Sequence, residues 1–498
     1  MCGVAGVWGS VEPMLVSSML DALHHRGPDA RGIGNETHPG ATLGHTRLSI
    51  IDLEGGDQPL HGAGGSTLVA NGEIYNAHAL RGELGEERFT TYSDNEAILH
   101  LLSDGGPEAA SELRGMFAFA LTDDDELLLG RDPVGIKPLY VGHLGDSLVI
   151  SSELKALPPG VEKTEPLAPG TVWSSRSGTH RFWSVPEQVD HPECDRPISH
   201  HVATVRETLD LAVRRRLIAD VPVGAFLSGG LDSSAIAALM REQVDVLHTF
   251  SVGLPGSPDL LAARLVAEHL GTVHHEYVLD PVEILEHLPE IVHSLESFDL
   301  DLVRSAVPTY FTASLAAEHV TVVLTGEGAD ELFAGYTYHK HLTDDRALDS
   351  DLRRSIAELH HINLQRVDRL TMAHSLEARV PFLDVDLIEA ALAIPVGLRR
   401  PGVLAPEKGL LRAAVEDLLP QEVVWRDKSQ FDQGTGTADL LEEMATEAAS
   451  HIDVVEYSER HPETHFRSSE ECRYHEILVG SLADPGPTLD NVARWSHR

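Results

Sequence analysis

Apolar residues in the first third of the chain come in short runs cut by Gly, Pro and Asp, at residues 42–52, 66–73, 116–122, 126–131 and 147–152. Runs of that length between turn formers predict β-strands, and together they predict a sheet-rich unit. Residues 94–102 break the pattern: Ala97, Ile98, Leu101 and Leu102 share one helical face, and Ser93 and Glu96 have capping-box spacing. The segment 184–199 holds three prolines, several acids and no apolar period, which suits a linker. Beyond it strand-like and helix-like stretches alternate: 222–227 then 233–242, 246–252 then 259–270, 273–279, and 320–324 then 329–333. Such alternation predicts a parallel sheet covered by helices. From about residue 347 helical periodicity dominates, with breaks at Pro381, Pro395, Pro401 and Pro420. The pattern as a whole predicts an α/β protein of two domains, 2–183 and 200–498, joined by 184–199.

Composition narrows the function classes. The 498 residues are 42% hydrophobic and 23% charged, the profile of a globular protein with a large core. Seventy-eight acidic residues against 38 basic ones leave a formal charge of −40, a field that repels phosphate backbones and anionic lipid. Neither nucleic acid nor a membrane is expected as a partner. Three scattered cysteines, Cys2, Cys194 and Cys472, give neither a disulfide framework nor a zinc motif. No apolar run approaches the roughly 18 residues needed to cross a bilayer, and the N-terminus lacks the basic stretch of a signal peptide. A cytoplasmic location is expected. The histidine pairs His274-His275 and His360-His361 lack zinc-ligand spacing with Cys or carboxylate neighbours.

Phe226-Leu227-Ser228-Gly229-Gly230-Leu231-Asp232-Ser233-Ser234 follows an apolar strand and opens a helix. Glycine-permitted backbone N–H groups and a helix N-terminus converge there, a geometry that suits phosphate. The run has neither a Walker A ending nor dinucleotide glycine spacing, and it resembles the loop of N-type ATP pyrophosphatases, which cleave ATP to AMP and pyrophosphate. A second loop, Thr325-Gly326-Glu327-Gly328-Ala329-Asp330-Glu331, follows the apolar run 320–324 on the same carboxyl edge of the proposed sheet. Asp232 and Asp330 could share a Mg²⁺, which is commonly held by one or two carboxylates plus substrate phosphates. That leaves Glu327 for proton transfer.

Removal of Met1 would leave a thiol and a free α-amine on Cys2, so nucleophile and base come pre-assembled. The unperturbed amine titrates at about 8 and the thiol at about 8.5, so proton exchange between them is nearly isoenergetic. Cys2 gains meaning from the runs His25-Arg26-Gly27-Pro28-Asp29, Gly44 to Ile50, Asn71-Gly72-Glu73-Ile74-Tyr75-Asn76 and Ser93-Asp94. An arginine and two carboxylates can hold a zwitterionic amino acid, while Asn71 and Gly72 can donate to an oxyanion as the thiolate attacks an amide. The constellation reads as a glutaminase.

With these motifs the chain resembles the glutamine-dependent asparagine synthetase family of bacterial type, from Cys2 to about Leu478. Further matching runs are Gly130-Arg131-Asp132, Ser251 to Asp259, Glu377-Ala378-Arg379-Val380-Pro381-Phe382-Leu383-Asp384 and Trp425-Arg426-Asp427-Lys428. The resemblance implies an N-terminal nucleophile hydrolase αββα sandwich that frees ammonia from glutamine. It also implies a C-terminal synthetase domain of the ATP pyrophosphatase type, reached by ammonia through an internal tunnel that keeps it unprotonated. Carried over residue by residue, Cys2 is the nucleophile and Arg47, Asn71, Gly72, Glu73 and Asp94 hold glutamine. Residues Phe226 to Ser234, Val252, Thr325, Gly326 and Lys428 contact ATP, and Glu327 serves acyl-adenylate formation. Asp301, Arg304 and Arg379 are expected at the acceptor. ATP and Mg²⁺ are the implied co-substrate and metal, glutamine and aspartate the implied substrates, and a homodimer the implied assembly. One departure stands out: where many relatives have Thr-Thr before Ile-Arg, this chain has Asp301-Leu302-Val303-Arg304, so a different carboxylic acid acceptor is the alternative to aspartate.

Overall fold

The computed structural model describes residues 2–34, 40–123, 125–187, 196–428, 431–438, 440–442 and 452–494. The linker expected at 184–199 lies partly outside them, as does Cys194, and the helix Ile198–Arg215 already begins within its last residues.

In the N-terminal half two six-stranded sheets lie face to face. One has the spatial order Glu162–Pro166, Tyr140–Leu144, Ser147–Ser151, Gly3–Trp8, Ala41–Arg47, Ala30–Gly34. The other runs Gly178–Arg181, Thr171–Ser174, Glu126–Arg131, Gly115–Asp123, Thr67–Ile74, Leu60–His61. In the inner strands, such as Gly3–Trp8, Thr67–Ile74 and Gly115–Asp123, residues alternate between two buried faces, which explains why these runs are largely apolar rather than apolar at every second residue, while the edge strands Glu162–Pro166 and Gly178–Arg181 are polar and partly exposed. Val4, Leu43, Val69, Ala118, Ala120, Leu129 and Ile150 meet between the sheets. Their neighbours Ala5 and Val7 pack instead under the helix Pro13–Ala22, through Val16, Met19 and Leu20. On the opposite outer face Leu68, Ala70, Phe117, Phe119 and Leu121 pack under the helix Glu96–Gly105, through Ile98, Leu99 and Leu102. The layers are therefore α, β, β, α.

Two local expectations change. The strand expected over 42–52 is Ala41–Arg47 and stops where Arg47 turns to the following loop. The capping box at Ser93 does not form: the helix starts at Glu96, whose carboxylate accepts from the N–H groups of Thr90 and Thr91 at 2.7 and 2.8 Å.

The C-terminal half is built on a five-stranded sheet in the order Val273–Val278, His248–Gly253, Val223–Phe226, Val322–Leu324, Glu377–Arg379. All four pairings are parallel. Helices such as Leu231–Arg241, Pro258–Leu270 and Leu300–Ala317 cover it. One continuous apolar cluster joins the halves, running from Leu48, Ile50, Met116 and Ile136 to Leu227, Leu324 and Val380.

Candidate active sites

Period-two alternation puts Asn71 and Glu73 on the same inner face as Val69, facing the sheet whose central strand begins just after Cys2. The backbone nitrogen of Cys2 donates to Asn71 Oδ1 at 3.0 Å. Asn71 Nδ2 is buried and makes no hydrogen bond, so its donor is left for a ligand oxygen. Cys2 is itself anchored: its carbonyl accepts from Arg26 Nε at 3.0 Å. Burial pushes the thiol up, while the backbone N–H of Leu48 opposes that rise. Gly72 tolerates no side chain, because a Cβ would stand 2.1 Å from the Met116 carbonyl oxygen. Asp94 Oδ2 accepts from the Ile74 N–H at 2.5 Å, and Asn95 Nδ2 bridges Asp94 Oδ1 and the Gly72 carbonyl at 3.1 and 3.0 Å. These bonds bring Asp94 to the strand that carries Asn71 and Glu73. Arg47 is held by Asp57 at 2.8 Å and by the carbonyls of Ile51 and Asp52 at 3.2 and 2.5 Å. Burial, with Glu377 and Asp94 nearby, pushes Glu73 well above the carboxylate range, and burial pushes Asp94 up to about 6.

A second site opens at the carboxyl edge of the parallel sheet, as a cavity of about 290 Å³. The strand-to-helix loop and the 325–331 loop both reach it: Phe226, Leu227, Ser228, Gly230 to Ser233, Val252, Thr325, Gly326, Glu327, Asp330 and Lys428 line its wall. Gly229 and Ser234 stand behind. Gly229 has φ +73 and packs against the backbone of Ala262 and Ala263, where a Cβ would meet atoms at 2.4 to 2.5 Å. Ser234 is fully buried.

Two residues missed by sequence reasoning dominate the cavity's electrostatics. Lys408 Nζ lies 2.5 Å from Asp232 Oδ2 and 2.5 Å from Asp330 Oδ1, and Lys428 also pairs with Asp330. Despite burial, the two ammonium groups hold Asp330 well below the usual carboxylate range, whereas burial wins at Asp232 and raises it. Arg366 pairs with Glu327, whose carboxyl burial pushes up against the pull of that guanidinium. Chain position could not reveal either contact, although Lys408 is one of only six lysines. Asp232 Oδ1 is buried without a hydrogen bond, so the donor set fits a hard cation beside phosphate oxygens.

The expected acceptor set is split. Asp301 lines the cavity with Leu302, Ser305, Thr309 and Thr312, the inward stripe of its helix. Arg304 faces the other way and is clamped by Glu470, Nε to Oε1 at 3.0 Å and Nη2 to Oε2 at 2.6 Å. A guanidinium so paired has no open fork for a substrate carboxylate. Arg379 does not line the cavity at all. It stands beside Glu73, with Nη2 3.4 Å from Oε2.

A cysteine and unpaired amide donor in an αββα sandwich, joined to a glycine-loop cavity on a parallel sheet, form the frame of a glutamine amidotransferase domain joined to a synthetase domain. Family comparison agrees: the glutamine amidotransferase domain matches residues 1–171, and asparagine synthase matches residues 204–349 and 340–461. The chain is 38% identical to asparagine synthetase B [glutamine-hydrolyzing] of Escherichia coli, over 96% of this chain and 91% of that one. It is 36% identical to a probable asparagine synthetase [glutamine-hydrolyzing] of Schizosaccharomyces pombe, over 99% and 96%. Against the Asparagus officinalis enzyme the identity is 37%, over 91% and 80%. The chain belongs to the asparagine synthase family.

Proposed function

We propose that the protein converts aspartate, glutamine and ATP to asparagine, glutamate, AMP and pyrophosphate. At the first site the Cys2 thiolate attacks the glutamine side-chain amide, and Asn71 Nδ2 with the Gly72 N–H receives the oxyanion. Ammonia leaves, and water releases glutamate from the thioester. At the second site the aspartate β-carboxylate attacks the α-phosphorus of ATP, expelling pyrophosphate and giving β-aspartyl-AMP. Ammonia then attacks the acyl carbon, loses a proton to Glu327 and displaces AMP. Lys408 and Lys428 neutralise phosphate charge, and Asp232 and Asp330 would hold Mg²⁺, which supplies further charge neutralisation when bound.

The observation that carries this reading is the pairing of two such sites through one apolar cluster. Leu48, whose N–H lowers the pKa of the Cys2 thiol against burial, belongs to that cluster, and Leu227 and Leu324 immediately precede the two nucleotide loops. An apolar interior favours neutral ammonia over ammonium. Glutamine labelled with ¹⁵N in its side-chain amide is expected to label the amide product, and Cys2→Ala to abolish that transfer while added ammonia still supports synthesis. Label absent from every product, or loss of both activities in Cys2→Ala, would count against the proposal.

A second acceptor has specific support: Arg304 is committed to Glu470, and Asp301, which lines the cavity, carries a carboxylate that accepts from Arg467 at 3.2 Å. A panel of carboxylic acids with ATP, glutamine and Mg²⁺ separates the readings. If aspartate gives no amide and another acid does, the mechanism stands with a different acceptor.

A further inference from the structure

The glutamine pocket holds an excess of buried acid. Glu73, Asp94 and Glu377 are 5%, 8% and 0% exposed. Burial and neighbouring negative charge raise Glu73 and Asp94, which makes them poor acceptors for an ammonium group, whereas Glu377, despite burial, is held below its ordinary value by Arg379. The guanidinium set against them comes from the other half of the molecule. Arg379 ends the last strand of the parallel sheet, and its carbonyl accepts from the N–H of Thr325, the first residue of the nucleotide loop, at 2.9 Å.

The Arg379 side chain is fully buried and fixed on three sides by its own half. Nε donates to Glu377 Oε1 at 2.6 Å, and Nη1 donates to the carbonyls of Arg216 and Ile218 at 2.8 and 2.6 Å. The remaining nitrogen, Nη2, faces Glu73 Oε2 at 3.4 Å, and neither atom makes a hydrogen bond. That separation exceeds the roughly 2.7–2.9 Å of a charge-assisted hydrogen bond. The guanidinium thus attracts the carboxylate without consuming it.

We propose that Arg379 is a positioning residue of the glutamine pocket, supplied across the domain interface by the synthetase sheet, which holds the Glu73 carboxylate in place for the α-ammonium of glutamine. The proposal rests on the reading of Glu73 as a glutamine ligand. The glutaminase site is then composite: its nucleophile and oxyanion donors come from one half and the buttress of its ammonium acceptor from the other.

The test uses the full chain and follows glutamate release against glutamine concentration. Arg379→Gln is expected to raise the KM for glutamine about tenfold to a hundredfold, with kcat changed less than about threefold, because a partner of a buried charge pair is lost while the nucleophile is untouched. Arg379→Lys restores part of the loss, since it returns the charge without the fork. In a double-mutant cycle, Glu73→Gln with Arg379→Gln should be no worse than Glu73→Gln alone, within about twofold, because both act on one contact. If Arg379→Gln fails to fold, as judged by thermal melting, Arg379→Lys and its cycle with Glu73→Gln carry the test. Unchanged glutamine KM in a folded Arg379 variant, multiplying penalties in the cycle, or a rise in the aspartate KM of ammonia-driven synthesis in place of the glutamine KM would each overturn the proposal. Should Glu73→Gln itself leave the glutamine KM unchanged, the assignment of Glu73 falls first, and the proposal falls with it.

Discussion

Asp94 binds a cation only while ionised, and burial pushes its carboxyl up to about 6. Glu73 is raised further, by burial and by Glu377 and Asp94 nearby. Protonation below that range removes the negative charge that a glutamine α-ammonium needs, so affinity is present at higher pH and is lost as pH falls. The kcat/KM for glutamine hydrolysis is therefore expected to drop on an acid limb near pH 6, approaching about tenfold per unit well below it. Asp94→Asn should lower kcat/KM at neutral pH and shift or flatten that limb. A limb identical in wild type and variant would show that some other group is responsible.

At the scale of elements the strand-to-helix turn at Gly229 makes the sharpest demand on sequence. Its φ of +73 and the 2.4 Å approach of a notional Cβ to the Ala263 nitrogen leave no room for alanine without moving the loop or the helix Pro258–Leu270. Gly229→Ala is expected to lower ATP-dependent pyrophosphate release by at least about tenfold through displaced backbone donors, with glutamine hydrolysis retained. Equal loss of both activities would point to global unfolding instead. This turn was legible in the sequence because glycines between an apolar strand and a helix are a local signal, as were the strands Gly115–Asp123 and Glu126–Arg131. The strand Glu377–Arg379 was not. It is three residues long, two of them charged, and only pairing with Val322–Leu324 makes it a strand. The pairing of Arg304 was hidden for a similar reason: its partner Glu470 lies 166 residues away, and no periodicity along the helix Leu300–Ala317 announces it. Glu96 shows the local counterpart, since a competing set of N–H groups at Thr90 and Thr91 took the carboxylate from its capping box.

The whole molecule depends on a buried ionic seam between its halves. Arg26, one bond from the Cys2 carbonyl, donates to Glu153 at 2.6 Å within its own domain and to Asp368 at 2.8 and 3.1 Å across the interface. Asp368 lies on the helix Asn363–Met372, whose Arg366 pairs with Glu327, so one helix touches the supports of both sites. Removing a single partner from a buried pair strands the other charge and costs about 3–5 kcal/mol, with the low end expected here because Arg26 keeps Glu153. Burial alone would raise the Asp368 carboxyl, but Arg26, Lys137 and Arg369 outweigh it and hold the group below its ordinary 3.8. A folded-state value below the unfolded one means stabilisation that is complete above the unfolded value and is lost as pH falls through the folded one. Asp368→Ala is thus expected to melt well below wild type at pH 5 to 8, with the gap narrowing below about pH 4 as the wild-type carboxylate takes up its proton. Melting curves at pH 7 and 3.5 check this. A gap of equal size at both values would mean that Asp368 contributes packing rather than charge, and coincident melting at pH 7 would mean that the seam does not hold the domains together.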